Sequence, residues 1–484
     1  VAAINVQPGS EWAANETACA LGQIESRPQP LFHGRGPRAA RIHAGKAARG
    51  RFPRSSLAHC EIPERDVVAL LEASNEGRLA ELIPIRYGRM VASPFGFYRG
   101  AAAPMAFDLA RLPRSDIFVQ LTGDAHLANF GLFASPERRV LFGPNDFDET
   151  LPGPFEWDVR RLATSFVVAA RERGFSTAVQ REVVRRCAST FRQHVNMFSE
   201  MDVLDVWYHQ LTADSMLATA DTSKERRMER AVVTRARNRT SHTEMVHATT
   251  MIAGHLRIRD EAPLVYHYPI SNPREAELFE ATVRHFIADF RDTLPDERRA
   301  LFDRFELVDV AIRVVGVGSV GTRCWLALFM ADEKYPLFLQ IKEARASVLE
   351  RYLPPSRYAN HGQRVATGQR LLQSASDIFL GWATSQVNGI DFYVRQLRDM
   401  KGAFDVSVFD ERDLSEYAAL CGQALAHAMA KAGDPAVIAG YVGSSEAFDE
   451  SITRFAMAYA DRNERDWQVL KFAIKNGRIH AMRE

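Results

Sequence analysis

Residues 307–344, LVDVAIRVVGVGSVGTRCWLALFMADEKYPLFLQIKEA, constrain the fold more than any other stretch. β-Branched and aromatic residues alternate there with turn residues, which predicts antiparallel strands in a chain that elsewhere reads as mostly helical. The turn VVGVGSVGTR fits G-x-G-x-x-G through Gly316, Gly318 and Gly321, with Ser319 between them. In a dinucleotide-binding fold the third glycine opens a helix. Strand-like TRCWLALFM follows instead, which favours a glycine-rich hairpin laid over nucleotide phosphates. A glycine-rich turn with no ligand is the plain alternative.

The next apolar run, PLFLQIKEA, carries Lys342. With the two-residue alternation of a strand, Phe338, Gln340 and Lys342 share one face, and Leu337, Leu339 and Ile341 share the other. A lone lysine at a strand end ordinarily snorkels to the surface. One strand after a glycine-rich turn, it is placed to meet the α- and β-phosphates of a nucleotide.

Two earlier windows, LTGDAHLANFGLF (121–133) and NDFDETLPGPFEWDVRRLA (145–163), crowd Asp124, His126, Asn129, Asp146, Asp148 and Glu149 together. Like charges at close range raise one another's pKa, so such a cluster calls for a cation between them. The bland reading is a solvated loop of turn-forming Asp and Asn; the sharper one is a divalent metal site that also holds phosphate. A metallohydrolase would use His126 with the acids, but one histidine among carboxylates suits zinc poorly.

The chain has 484 residues, 46% hydrophobic and 25% charged, enough for two or three lobes with their own cores. A net charge of +1 argues against a nucleic-acid-coating protein. Five scattered cysteines with no CxxC pair fit a reducing compartment, and the cytoplasm is expected. No apolar run is long enough to span a bilayer. Residues 27–60 are rich in Arg and Lys and hold few apolar groups, so residues 1–60 are expected to be a disordered basic leader; a nucleic-acid arm or a transit peptide is the functional alternative. The charged stretch SKERRMERAVVTRARNRT (223–240) reads as a solvated helix face rather than an anion site.

The acidic windows resemble motifs of the aminoglycoside and choline phosphotransferases, relatives of protein kinases. Asp124-x-His126-x-x-Asn129 resembles their HGDxHxxN catalytic loop, with Thr122 where they usually have His. Asp146-Phe147-Asp148 resembles their metal-binding D-F/W-E/D, and GPFEWDVRRLA their GDPxxDLA, with Asp158 as the buried acid bracing the loop. The resemblance implies that Asp124 orients the acceptor hydroxyl, with His126 organising the loop, and that Asn129, Asp146 and Asp148 bind magnesium. Gly316, Gly318, Ser319, Gly321 and Lys342 would then bind ATP. The lysine's usual helix-borne glutamate is missing between Arg351 and Gln386, which leaves Glu343 and Glu350, with Glu350 favoured. Arg86, Arg89 and Arg99 are candidates for a phosphate or acidic acceptor, or pair with nearby acids.

The order is unusual. The glycine turn and lysine come about 190 residues after the catalytic loop, and LSEYAALCGQALAHAMAKAG (414–433) resembles the helix that normally leads into that loop. The expected fold is therefore α+β, a kinase-like two-lobe architecture in circularly permuted order: a helical catalytic lobe over 61–300, an antiparallel-sheet nucleotide lobe over 301–405, and C-terminal helices over 406–484 that return to the first lobe. From about Arg65 to the end, the chain also resembles the bacterial domain of unknown function 2252 family, through PIRYGRMVASPFGFYRGAAAPMAFDLA, GDAHLANFG, NDFDETLPGPFEWDVRRLA, GVGSVGTR, FLQIKEA and YVRQLRDMKG. The expected function is an ATP- and Mg-dependent phosphotransferase acting on a small-molecule or protein hydroxyl. A nucleotide-binding regulatory pseudoenzyme and an AMP-transferring enzyme remain open beside it. The partners expected are the nucleotide and the acceptor.

Overall fold

The computed structural model of the chain describes residues 36–219, 223–262, 264–314, 320–397 and 399–482. Helices make up 53% of the described residues and the strands form small antiparallel sheets, an α+β composition. The strands are β1 (Phe118–Leu121), β2 (Phe130–Ala134), β3 (Val140–Pro144), β4 (Leu151–Pro154), β5 (Thr249–Ile252), β6 (His255–Ile258), β7 (Val265–Tyr266), β8 (Glu306–Arg313), β9 (Cys324–Met330), β10 (Pro336–Glu343), β11 (Gly381–Thr384) and β12 (Asp391–Gln396).

One six-stranded sheet runs in the order β11-β12-β10-β9-β8-β7. Its central strand β10 is buried along its whole length because both faces are covered. Leu337, Leu339 and Ile341 join a core with Phe290 and Phe302 from the helices behind the sheet and Leu294 from the link between them. Phe338 faces the other way, onto Leu326, Leu328 and Ile258. Burial alone hides the two-residue period, whereas the identity of the packing partners displays it. Helices Pro273–Asp292 and Asp296–Phe302, expected with the helical lobe, thus pack on the sheet.

The acidic windows are built on two short ladders, β1 with β4 and β2 with β3. Behind them lies the largest core, where helices Glu156–Glu172, Thr177–Phe198 and Glu411–Lys431 pack together. Gly422 lets the last two approach closely: a Cβ there would overlap the Cys187 carbonyl oxygen. The Glu411–Lys431 helix ends beside β1, where Gln120 N donates to Ala432 O at 3.0 Å.

Residues 1–35 of the expected leader lie outside the described residues, but residues 38–51 form a helix. Its stripe of small residues, Gly45 and Ala48, fits against helix Pro435–Val442, and a Cβ on Gly45 would overlap the Val437 carbonyl oxygen. Basic residues of this helix and of the turn after it cap that neighbour: Arg49 Nε donates to Gly440 O at 3.0 Å and Arg54 to Val442 O at 2.8 Å. The composition predicted disorder because little apolar area is available here. What orders the segment is close backbone packing and the carbonyls of a helix C-terminus, which attract cations. Among the described residues, no helix is long and apolar enough to cross a membrane.

Candidate active site

The first acidic loop leaves β1 at Leu121 and turns at Gly123. Gly123 has φ +82°, and a Cβ there would overlap the carbonyl of Glu149, so the two acidic windows touch backbone to backbone. Asp158, at the start of helix Glu156–Glu172, braces the turn. It accepts from Thr122 N at 2.7 Å, Thr122 Oγ1 at 2.9 Å and Gly123 N at 3.1 Å. Thr122, where the phosphotransferases usually have His, therefore anchors the loop through its own hydroxyl. Burial raises the Asp158 carboxyl to about 6, with the three donors opposing.

One helical turn further, Arg161 donates from Nε to Asp124 Oδ1 at 2.5 Å and from Nη2 to Tyr98 O at 3.1 Å. Burial raises the Asp124 carboxyl, while Arg161 works against it. Asp124 Oδ2 is left facing His126 Nε2 at 3.8 Å, too long for a hydrogen bond. Burial, then Arg161 and Arg99, hold His126 well below its usual range, so the ring is a neutral spacer. Its Nδ1 has no hydrogen-bond partner among the described residues. Asn129 closes the loop by donating from Nδ2 to Asp124 O at 2.9 Å, which leaves its side-chain oxygen as its available ligand atom.

The second acidic window follows β3. Lys342 Nζ lies 2.8 and 3.1 Å from the two oxygens of Asp148 and 3.9 Å from Asp146. Register explains the placement: Lys342 is paired with Tyr393 across β10 and β12, so both side chains leave the same face of the sheet. The Tyr393 hydroxyl donates to Asp148 Oδ1 at 2.6 Å. Burial lowers the Lys342 ammonium's affinity for its proton, but Asp148, Tyr393 and Asp146 outweigh it and the pKa rises. Asp146 is raised by burial first and by Asp148 second, and its Oδ1 is buried with no hydrogen-bond partner among the described residues.

Glu350, expected beside the lysine, lines the same cleft as the acids but has other partners. It accepts from Ser347 N at 3.1 Å and Ser356 N at 3.3 Å, and sits 3.7 Å from Arg364. Lys342 takes Asp148 as its carboxylate, and the helix His361–Leu372 presents Arg364 where a glutamate was sought. That buried guanidinium donates to Thr150 O at 2.6 Å, Asp148 O at 2.8 Å and Arg345 O at 2.7 Å, clamping the acidic loop to the end of the lysine strand. The reason is charge balance. With Asp148 already paired to Lys342, the helix supplies donors to main-chain carbonyls rather than a further acid.

Asp124, Asp146, Asp148 and Glu149 line one cleft of about 540 Å³, together with an arginine wall of Arg78, Arg86, Arg99 and Arg345. Of the three acceptor candidates, Arg86 and Arg99 line the cleft; Arg89 is half-buried, outside the lining but near enough to oppose the charge of Arg99. Gly316, Gly318 and Ser319 lie outside the described residues. Gly321, at φ +89°, ends that turn: its carbonyl accepts from Leu79 N at 2.7 Å, and Thr322 lines the cleft. Among the described residues, no three His, Cys, Asp or Glu side chains form a ready metal cage. Magnesium rarely uses such a cage; it is held by one or two carboxylates together with waters and substrate phosphates. The Asp146 oxygen without a hydrogen bond, and an Asp146 carboxyl that burial and then Asp148 both raise, fit that mode.

Arg161, Arg364 and Tyr393 went unnoticed in the sequence. Arg161 had a signal, since it follows Asp158 by three positions on the same helix face. Tyr393 and Arg364 had none, because their contacts come from strand register and from the docking of a helix.

No curated protein and no solved structure matches the chain. One family model does, over residues 78–473, described as an uncharacterized protein conserved in bacteria. The match runs from Arg78 in the cleft wall through both acidic loops, the lysine strand and nearly all of the last long helix, so the chain belongs to the domain of unknown function 2252 family.

Proposed function

We propose that the chain is an ATP- and magnesium-dependent phosphotransferase with a kinase-like, circularly permuted fold that acts on an acceptor hydroxyl. The observation that carries this reading is the meeting of Lys342 with Asp148 and Asp146, which line the cleft that Asp124 also lines, although Lys342 and Asp148 are 194 residues apart in the chain. A strand lysine after a glycine-rich turn, a metal-binding acid and a loop aspartate are the parts that phosphoryl transfer requires, because the reaction is dominated by positioning and charge neutralisation. The permutation is supported by the hydrogen bond from Gln120 to Ala432, which sets the end of helix Glu411–Lys431 against the strand that leads to Asp124.

In this reading Arg161 holds one oxygen of Asp124 and leaves the other to accept from the acceptor hydroxyl. Neutral His126 keeps a competing charge away from that oxygen. Asp158 fixes the loop through Thr122 and Gly123. Lys342, oriented by Asp148 and Tyr393, meets the α- and β-phosphates. Asp146, Asn129 and Asp148 would hold magnesium, which when bound neutralises charge on the transferred phosphoryl group.

The test is mass spectrometry of products from the native chain and Lys342→Met, each given ATP, magnesium and a cell extract. Phosphorylated products made only by the native chain are expected. AMP-bearing products would assign nucleotidyl transfer on the same fold. Lys342-dependent binding of Mg·ATP without any product would assign a pseudoenzyme, and no binding at all would sink every nucleotide reading.

A further inference from the structure

The glycine-rich turn links two strands of the large sheet, yet its described end is held by a segment of the helical side. Val320 is fully buried against Leu82 and Ile85, and Leu79 and Val314 complete that small core. Gly321 offers its carbonyl to Leu79 N at 2.7 Å, and Arg78 Nη1 donates to Val320 O. A Cβ on Gly321 would lie 3.1 Å from the Arg78 Cβ, so the two backbones run close together. The clasping segment is itself fixed from behind. Leu71, Tyr87 and Met90 on either side of it share a core with Leu470 of helix Ala447–Lys475, and Met482 N donates to Pro84 O at 2.9 Å. Asn75 donates to the Tyr87 hydroxyl at 2.7 Å and accepts from Arg86 Nη1 at 2.6 Å, which ties the two ends of the segment together. Arg86 Nη2 donates to Gly100 O at 3.0 Å, and two residues earlier Tyr98 O accepts from Arg161, the residue that holds Asp124. One line of packed and hydrogen-bonded groups therefore runs from the end of the glycine-rich turn to Asp124.

We propose that Leu79 is a positioning residue for the nucleotide: by clasping Val320 and Gly321 it fixes the end of the glycine-rich turn relative to Asp124. The proposal rests on the phosphotransferase reading and adds a residue to its site. Thr322, next to the clasped pair, lines the cleft together with Asp124, Asp146 and Asp148. A glycine-rich main chain has many conformations open to it, and ordering it on a ligand costs affinity. An end that is packed and hydrogen-bonded before the ligand arrives lowers that cost. The clasp also refers the nucleotide hairpin and the acceptor's aspartate to one segment, so their spacing does not depend on the sheet alone. Phosphoryl transfer is sensitive to such spacing, because a misplacement of about 1 Å can cost about 100-fold in rate. Leu79 touches neither reactant; it acts through Val320 and Gly321.

The experiment measures Mg·ADP binding by calorimetry, well below the melting temperature, in the native chain and a set of variants. Leu79 has φ −64°, which proline adopts, so Leu79→Pro deletes the N–H donor to Gly321 without forcing that angle. It should weaken Mg·ADP about 2- to 10-fold, the span of one hydrogen bond. Leu79→Met keeps the donor and an apolar side chain, and should bind as the native chain does. Leu79→Ala and Val320→Ala trim the contact from its two sides. Each should weaken binding, and the double variant should lose no more than the weaker binder of the two. A residue that only stabilises the fold would lower the melting temperature and leave the affinity of folded molecules unchanged. Native affinity in Leu79→Pro, or additive losses in the double variant, would overturn the proposal while the phosphotransferase reading stands. If Leu79→Pro does not fold, the cycle of alanine variants decides by the same rule. A native chain that binds no Mg·ADP would end the phosphotransferase reading itself, and the role of Leu79 with it.

Discussion

At the residue scale, the cleft divides its carboxylates by partner. Asp148 is matched to Lys342 and Tyr393, Asp124 to Arg161, and Asp146 keeps a buried oxygen with no hydrogen bond among the described residues. The three acids should therefore fail differently when altered. Asp146→Asn keeps the shape but removes a charged oxygen, and should weaken Mg·ADP binding measured by calorimetry by at least about tenfold. Asp124→Asn should leave that affinity nearly unchanged and reduce turnover if, as proposed, its contact is with the acceptor. Equal loss of nucleotide affinity in both variants would overturn this division of labour. Asp124, Asp146, Asp158 and Lys342 were legible as a set because motif spacing places such groups within a few residues of a strand or helix end. The error at Glu350 has the same origin: adjacency in sequence to β10 does not predict which way a capping turn points its side chain.

At the scale of elements, helix Glu156–Glu172 presents Asp158 to the loop backbone and Arg161 to the loop carboxylate, one turn apart. The folded Asp158 carboxyl sits at about 6, against 3.8 for an ordinary aspartate. A carboxyl raised by folding binds its proton more tightly in the fold, so its contribution to stability is fullest below about pH 4 and is lost as pH rises through about 6. The stability advantage of the native chain over Asp158→Asn should therefore shrink by up to about 3 kcal/mol between those limits, read by urea unfolding across the pH range. An advantage that grows with pH would mean that the charged carboxylate is the better partner for Thr122 and Gly123. The helix Arg38–Arg51 makes a separate prediction. Gly45→Val overpacks its contact with Val437 and should cost about 1–3 kcal/mol in melting experiments without changing Mg·ADP affinity. An unchanged melting temperature would show that this helix does not hold its place in solution. The hairpin β5–β6, read from sequence as part of a helical region, had a visible signal. Its two-residue turn, Ala253-Gly254, has both φ values positive, +49° and +83°, as a tight hairpin turn demands.

At the scale of the whole molecule, the cleft is assembled from segments that a linear reading keeps far apart. Mg·ADP should therefore slow amide exchange together in residues 121–129, 145–150 and 336–343, measured by mass spectrometry. Protection confined to the sheet would mean that the acidic loops do not share the ligand. The sequence by itself determined what depends on near neighbours: the strand pattern of β8 to β10 and the close spacing of Asp124, Asp146 and Asp158. Those features follow from side-chain period and from spacing along the chain, which packing does not alter. The tertiary structure alone decided which charge meets which. The β10–β12 register gave Lys342 its tyrosine, the docking of helix His361–Leu372 put Arg364 under Asp148, and close packing on helix Pro435–Val442 ordered a basic segment whose composition argued for disorder. Electrostatic pairing depends on distances of a few ångströms between groups hundreds of residues apart, and no local pattern encodes such distances before the chain has packed.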